Sequence, residues 1–223
     1  MDLLIYPTIT VIYFILALIA FRLFRESSLW GSAWTLFIIL ALFFDSTVLS
    51  LGNILGPGSA LEVLSQIRLL LYVILFPTLI FVSLDQLRKI HVDWIEQYRI
   101  RISFHAYTAI VTLIGILVHY QWVMVVPVEV NGLFRYQPAE EVFPWVSLLA
   151  MLSIFATGLI LWKKVQWPVM LLGAGISMMG VLVSYIWGME SLLSLSELIM
   201  MCSIVLTDYR NKTTDYEEEV LYV

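Results

Sequence analysis

The 223-residue chain is 61% apolar and 13% charged, with a mean hydropathy of +0.93. Soluble domains carry about 25% charged residues, so too few are present to coat a water-facing surface, and a soluble globular class is excluded. Twelve Lys and Arg against seventeen Asp and Glu give a net charge of -5 and leave no basic stripe for nucleic acid. The single Cys202 excludes an intramolecular disulfide.

Apolar runs of about 20 residues, enough to cross a hydrocarbon core of about 30 Å, are predicted near 3–23, 33–54, 61–85, 103–124, 142–162, 168–188 and 191–207. Each is expected to be helical, because lipid offers the backbone no hydrogen-bond partner and an open strand edge would leave its amides unpaired. Residues 1–207 thus read as one all-α, integral membrane bundle of seven transmembrane helices. The first span lacks the basic leader and small-residue cleavage site of a signal peptide and reads as a retained helix. Pro77 is expected to kink the third span.

The loop near 86–102 mixes Arg88, Lys89, Asp93, Glu96, Arg99 and Arg101 with Trp94 and Tyr98, a pattern suited to lying along lipid headgroups. Between the fourth and fifth spans, Val128-Glu129-Val130-Asn131-Gly132-Leu133-Phe134-Arg135-Tyr136 puts an Asn-Gly pair between two β-prone runs. That predicts a short outer β-hairpin, acting as a capping linker, a lid or a partner surface. The segment 208–223, ending in Tyr216-Glu217-Glu218-Glu219, is expected to be a solvated, acidic cytoplasmic tail able to dock a partner.

Alternate loops differ in basic charge. Arg22, Arg25, Arg88, Lys89, Arg99, Arg101, Lys163, Lys164, Arg210 and Lys212 fall on one side, and only Arg135 falls on the other. An excess of Lys and Arg marks the cytoplasmic side, so the expected orientation is N-out, C-in, in the cell membrane.

Ionisable groups within spans are costly and by default face the bundle interior. Asp45 lies roughly 13 Å and Arg68 roughly 10 Å below the outer surface at the helical rise per residue. Glu197 enters at a similar depth, and His119 lies about one turn down. Ser65, Arg68 and Tyr72 share a helix face, as do Glu190, Ser194 and Glu197. Two further rows, His105, Thr108, Thr112, Gly115, His119 and Gly173, Ser177, Gly180, Ser184, are expected to face them. Asp45 with Arg68 either fixes helix register or forms part of a site. Two carboxylates and one arginine in a layer make Glu197 a candidate to carry a proton or bind a cation.

Other chemistries find little support. A catalytic zinc needs about three His or carboxylate ligands, whereas His105 and His119 are the only span histidines and stand far apart. Their shared face suits two stacked haems only if a partner chain supplies the opposing ligands. No cofactor is therefore expected. No local motif marks a serine nucleophile, and the balance leans away from an enzyme.

The seven spans, their orientation and the pattern Arg68, Tyr72, Pro77 within Arg68-Leu69-Leu70-Leu71-Tyr72-Val73-Ile74-Leu75-Phe76-Pro77 resemble the microbial rhodopsins. Glu190 is similarly placed ahead of the last helix. The resemblance implies an opsin-like bundle, with Tyr72 against the chromophore and Arg68 on an outward proton path. Covalent retinal chemistry is contradicted. No lysine occupies the seventh span, its position falling at Cys202; Leu71 stands at the proton-acceptor position and Val82 at the donor position, and the sixth span lacks the family's Trp and Pro. The purified protein is expected to be colourless.

The sequence thus predicts an outward-facing polar pocket lined by Asp45, Arg68, Tyr72, His119 and Glu197, binding a small ligand or cation for sensing or transport. A retinal-based light-driven pump is not expected. Two alternatives stand beside this reading: an accessory or assembly subunit of a larger membrane complex, with the outer hairpin and acidic tail as contact surfaces for a membrane-complex partner, and an intramembrane enzyme acting on a lipid or isoprenoid. A homo-oligomer is a separate expectation that would count against the accessory role.

Overall fold

The computed structural model describes residues 2–26, 30–118, 124–130, 132–139 and 143–221, with side chains described from 4 to 212 within those ranges. Eight helices and one hairpin follow in order: α1 (Asp2–Glu26), α2 (Trp30–Leu55), α3 (Ser59–Leu75), α4 (Leu79–Lys89), α5 (Tyr98–Val118), β1 (Val125–Val130), β2 (Leu133–Pro138), α6 (Trp145–Val165), α7 (Val169–Trp187) and α8 (Glu190–Leu221). Taking α3 and α4 together, seven helices among the described residues are long and apolar enough to cross a membrane.

The third span is broken at Pro77. Proline has no amide hydrogen and clashes with the preceding turn, and the chain answers with one 3-10 turn at Phe76–Thr78 before α4 resumes. Helix ends follow local chemistry. Gly188 closes α7 at φ 65°, where its amide reaches the Ser184 carbonyl, and Ser184 Oγ donates to Met189 O at 2.7 Å.

The helices pack as a ring, α1 against α2, α2 against α3 and α4, α4 against α6, α6 against α7, α7 against α8, and α8 back against α1. Its core is apolar, with Ile38, Ile39, Leu79, Met151, Met170 and Met201 all fully buried. Small residues set the closest approach. A side chain at Gly180 would run into Ser196, and one at Gly173 into Ser203, so the small-residue row of α7 seats α8. Ser177 Oγ also donates to Ser196 O at 2.5 Å.

Three sequence expectations need correction. The fourth-span row does not meet the α7 and α8 rows: α5 lies outside the ring and packs on α3, α4 and α6, with Thr108 and Gly115 buried against them. Its Gly115 packs on Val73 and Val146, while His105 is exposed beside the Phe81 ring at 5.1 Å. Second, the last helix does not end near 207 but runs to Leu221, with Asp208 and Asn211 buried. Third, Lys89 is no loop charge. Its Nζ lies 3.0 Å from Asp85 Oδ2, 2.7 Å from Asp208 Oδ1 and 3.2 Å from Ser32 Oγ. Gln86 donates to Asp208 and accepts from Asn211 Nδ2 at 3.1 Å.

This cluster joins α2, α4 and α8 at the basic end of the bundle. Removing one partner of a buried ion pair leaves an uncompensated charge, at about 3–5 kcal/mol. Lys89→Met is therefore expected to lower the unfolding midpoint in mild detergent by that order of stability. Adding Asp85→Asn and Asp208→Asn should recover most of the loss, as monitored by thermal unfolding.

Candidate functional site

At the other end of the bundle the hairpin folds inward. The antiparallel pair places Val130 opposite Leu133 across the two-residue turn, with Gly132 at φ 78° in the left-handed region such a turn requires. Asn53 at the end of α2 clasps it, donating to Gly132 O at 2.6 Å and accepting from Phe134 N at 2.7 Å. Gly52 beside it leaves room for the Phe134 carbonyl, which any side chain there would strike. Leu133 then packs on Tyr6 and Leu49, and Tyr136 on Val48 and Leu61.

The hairpin forms one wall of a cavity of about 440 Å³ whose other walls come from α2, α3, α7 and α8. That size lies within the range of about 300–1,000 Å³ common for small-molecule sites. Asp45, Arg68, Tyr72 and Glu197 all line it, together with Arg135, Gln137, Ser184, Glu190 and Ser194. The apolar lining includes Leu49, Leu69, Val73, Val181 and Leu193. His119, the fifth predicted member, lies outside the described residues.

The charges on these walls are unequally matched. Arg68 Nη1 meets Asp45 Oδ1 at 2.9 Å and Nη2 donates to Tyr136 O at 3.1 Å, so this arginine ties α2, α3 and the hairpin together. Arg135, almost wholly buried, pairs through Nη1 with Glu190 Oε2 at 2.9 Å and reaches Tyr6 Oη at 3.2 Å. Gln137 donates to the other oxygen of Glu190.

Glu197 has a different environment. It is 3% exposed, and its Oε1 accepts from Tyr72 Oη at 2.6 Å. Tyr72 has a single hydroxyl proton, so Ser147 Oγ, 2.8 Å away, must donate to it in turn. No basic side chain among the described residues forms an ion pair with Glu197. Counting the carboxylates and guanidiniums as charged and the tyrosines as neutral, Asp45, Glu190 and Glu197 face Arg68 and Arg135, an excess of one negative charge.

Arg135 and Gln137 were not among the predicted site residues. The signal for Arg135 was its solitude as the one basic residue on the sparsely charged side. Glu190 was already visible on the Glu197 face of the last helix. As for cofactors, His105 is exposed on α5, away from the cavity lining. Among the described residues no group of three His, Cys, Asp or Glu is placed to hold a metal ion.

No protein-family model matches the chain, and neither a curated protein nor a solved structure is significantly similar to it. The likeness to microbial rhodopsins thus rests on the seven helices and the Arg68, Tyr72, Pro77 pattern alone. In this bundle Tyr72 stacks on Phe76 with centroids 4.7 Å apart while holding Glu197.

Because Arg68 supports the hairpin as well as Asp45, Arg68→Met should loosen that wall more than Asp45→Asn does. Amide hydrogen exchange is expected to show protection lost across 125–138 in Arg68→Met. Asp45→Asn, which leaves the bond to the Tyr136 carbonyl intact, should retain most of it.

Proposed function

We propose that the chain is a multi-pass protein of the cell membrane, N-terminus outside and C-terminus inside, whose cavity binds a small ligand or cation for sensing or transport. The observation that carries this reading is Glu197, a buried carboxylate on a cavity wall whose hydrogen-bond partner is a tyrosine and not a cation. A charge in that position is costly in an apolar bundle, whereas the two neighbouring carboxylates already have their arginines. The unanswered carboxylate suits it to a visiting positive group.

The orientation is supported by the distribution of basic side chains. Arg22, Arg25, Arg88, Lys89, Lys163, Lys164, Arg210 and Lys212 all stand toward the end opposite the hairpin, the end that the excess of Lys and Arg would hold in the cytoplasm. The cavity then faces outward. In this reading Arg68 is a counter-ion and tether, Glu197 is the ligand contact, and the turn at Phe76–Thr78 separates the cavity-lining α3 from α4 with its Lys89 cluster. Movement at that turn would give the two states that sensing or transport needs.

The test uses Ser184, a cavity-lining residue largely buried from the surface. On a Cys202→Ser background, Ser184→Cys should react with a membrane-impermeant thiol reagent added to intact cells, whereas Lys212→Cys should react only after permeabilisation. The reverse pattern would refute the orientation, and no reaction of Ser184→Cys from either side would refute the open cavity. Glu197→Gln should still yield a monodisperse, folded protein in detergent.

A further inference from the structure

Resting on the cavity reading above, the chemistry of its walls narrows the occupant. The lining has an excess of one negative charge when its carboxylates and guanidiniums are charged and its tyrosines neutral, which matches a single positive charge. The negative group without a cation is Glu197, with Ser194 one turn before it on the same wall of α8. A bare divalent ion would need a set of several hard oxygen ligands, and no group of three metal-ligating side chains stands among the described residues.

A bare monovalent ion is a poor match for a different reason. Leu49, Leu69, Val73, Val181 and Leu193 also line the space, and it is several times larger than one water, whose share of liquid is about 30 Å³. An occupant carrying its own apolar surface would bury that lining and displace poorly held water. An anion would meet guanidiniums whose charge is already matched, Arg68 by Asp45 and Arg135 by Glu190, with the buried Nε of each left without a partner among the described residues, and it would face the Glu197 carboxylate.

We infer that the cavity takes a small organic ammonium, its charged head against the Glu197 carboxylate and its apolar body along Leu69, Val73, Val181 and Leu193. The ammonium supplies the charge that the bundle leaves out, and its N–H groups find Glu197 and the neighbouring hydroxyl of Ser194. Tyr72 and Ser147 act as positioning residues that hold the carboxylate toward the space.

Three probes of similar shape separate charge from fit: cyclohexylmethylammonium, cyclohexylmethanol and cyclohexanecarboxylate. Each is titrated calorimetrically into the purified full-length protein in mild detergent. The ammonium should bind saturably at one site, at least tenfold tighter than the alcohol, with the carboxylate weakest. Glu197→Gln should weaken the ammonium at least tenfold while changing the alcohol less than twofold. Should that variant fail to fold, Ser194→Lys keeps the carboxylate and sets a tethered ammonium beside it, and should abolish ammonium binding. Equal affinity for ammonium and alcohol, no saturable ammonium binding, or an ammonium affinity untouched by both variants would overturn the inference. If the alcohol or the carboxylate binds instead, and cavity-filling Ser184→Trp abolishes that binding, the cation is wrong and the binding cavity stands.

Discussion

A carboxylate placed among apolar helices must be answered by a partner, and the way this chain answers its buried charges organises the whole bundle. At the basic end, Lys89 lies between Asp85 and Asp208, with Gln86 and Asn211 completing the hydrogen bonds. At the hairpin end, Arg68 takes Asp45 and Arg135 takes Glu190. Lys89 with Asp208 and Arg135 with Glu190 join elements far apart in sequence, and Arg68 with Asp45 joins α2 to α3, so the charges that would be a liability in lipid act as cross-links between elements. Glu197 breaks the pattern, being held by Tyr72 alone among the described side chains, and the functional proposal grows from that exception.

The hairpin gives this exception a chamber. A two-stranded ribbon is marginal by itself, and here it is held by Asn53, Arg68 and the contacts of Leu133 and Tyr136. It carries Arg135 inward to Glu190, which would otherwise stand beside Glu197 as a second unmatched carboxylate. The wall therefore does electrostatic as well as steric duty. It limits the charge excess of the cavity to one while closing its side.

Much of this was legible in the sequence, for a simple reason. Charged residues inside apolar runs are rare, so Asp45, Arg68 and Glu197 announce an interior location, and helical spacing brings Tyr72 and Glu190 onto the same walls. Pro77 and the Asn-Gly turn carry local chemistry that needs no tertiary information. The rest depended on packing. Hydropathy falls wherever charges cluster, so Lys89 and Asp208 looked like loop and tail although they neutralise each other inside the bundle. The polar row of α5 reads like that of an interior helix, yet no periodicity tells a helix in the ring from one outside it. Nor does a β-prone run announce that Arg135 turns inward; that follows from Glu190 being there to receive it.

The central claim is that Ser194 and Glu197 border a water-accessible space and not lipid or solid packing. Nitroxide power saturation in bilayers measures this directly, through collisions with a water-soluble nickel chelate and with lipid-soluble oxygen. A spin label at position 194 should collide chiefly with the nickel chelate, and one at its neighbour Leu195, which points out of the bundle, chiefly with oxygen. If both labels favour oxygen, or if the label at 194 is shielded from both reagents, the space around Glu197 is closed and the account fails.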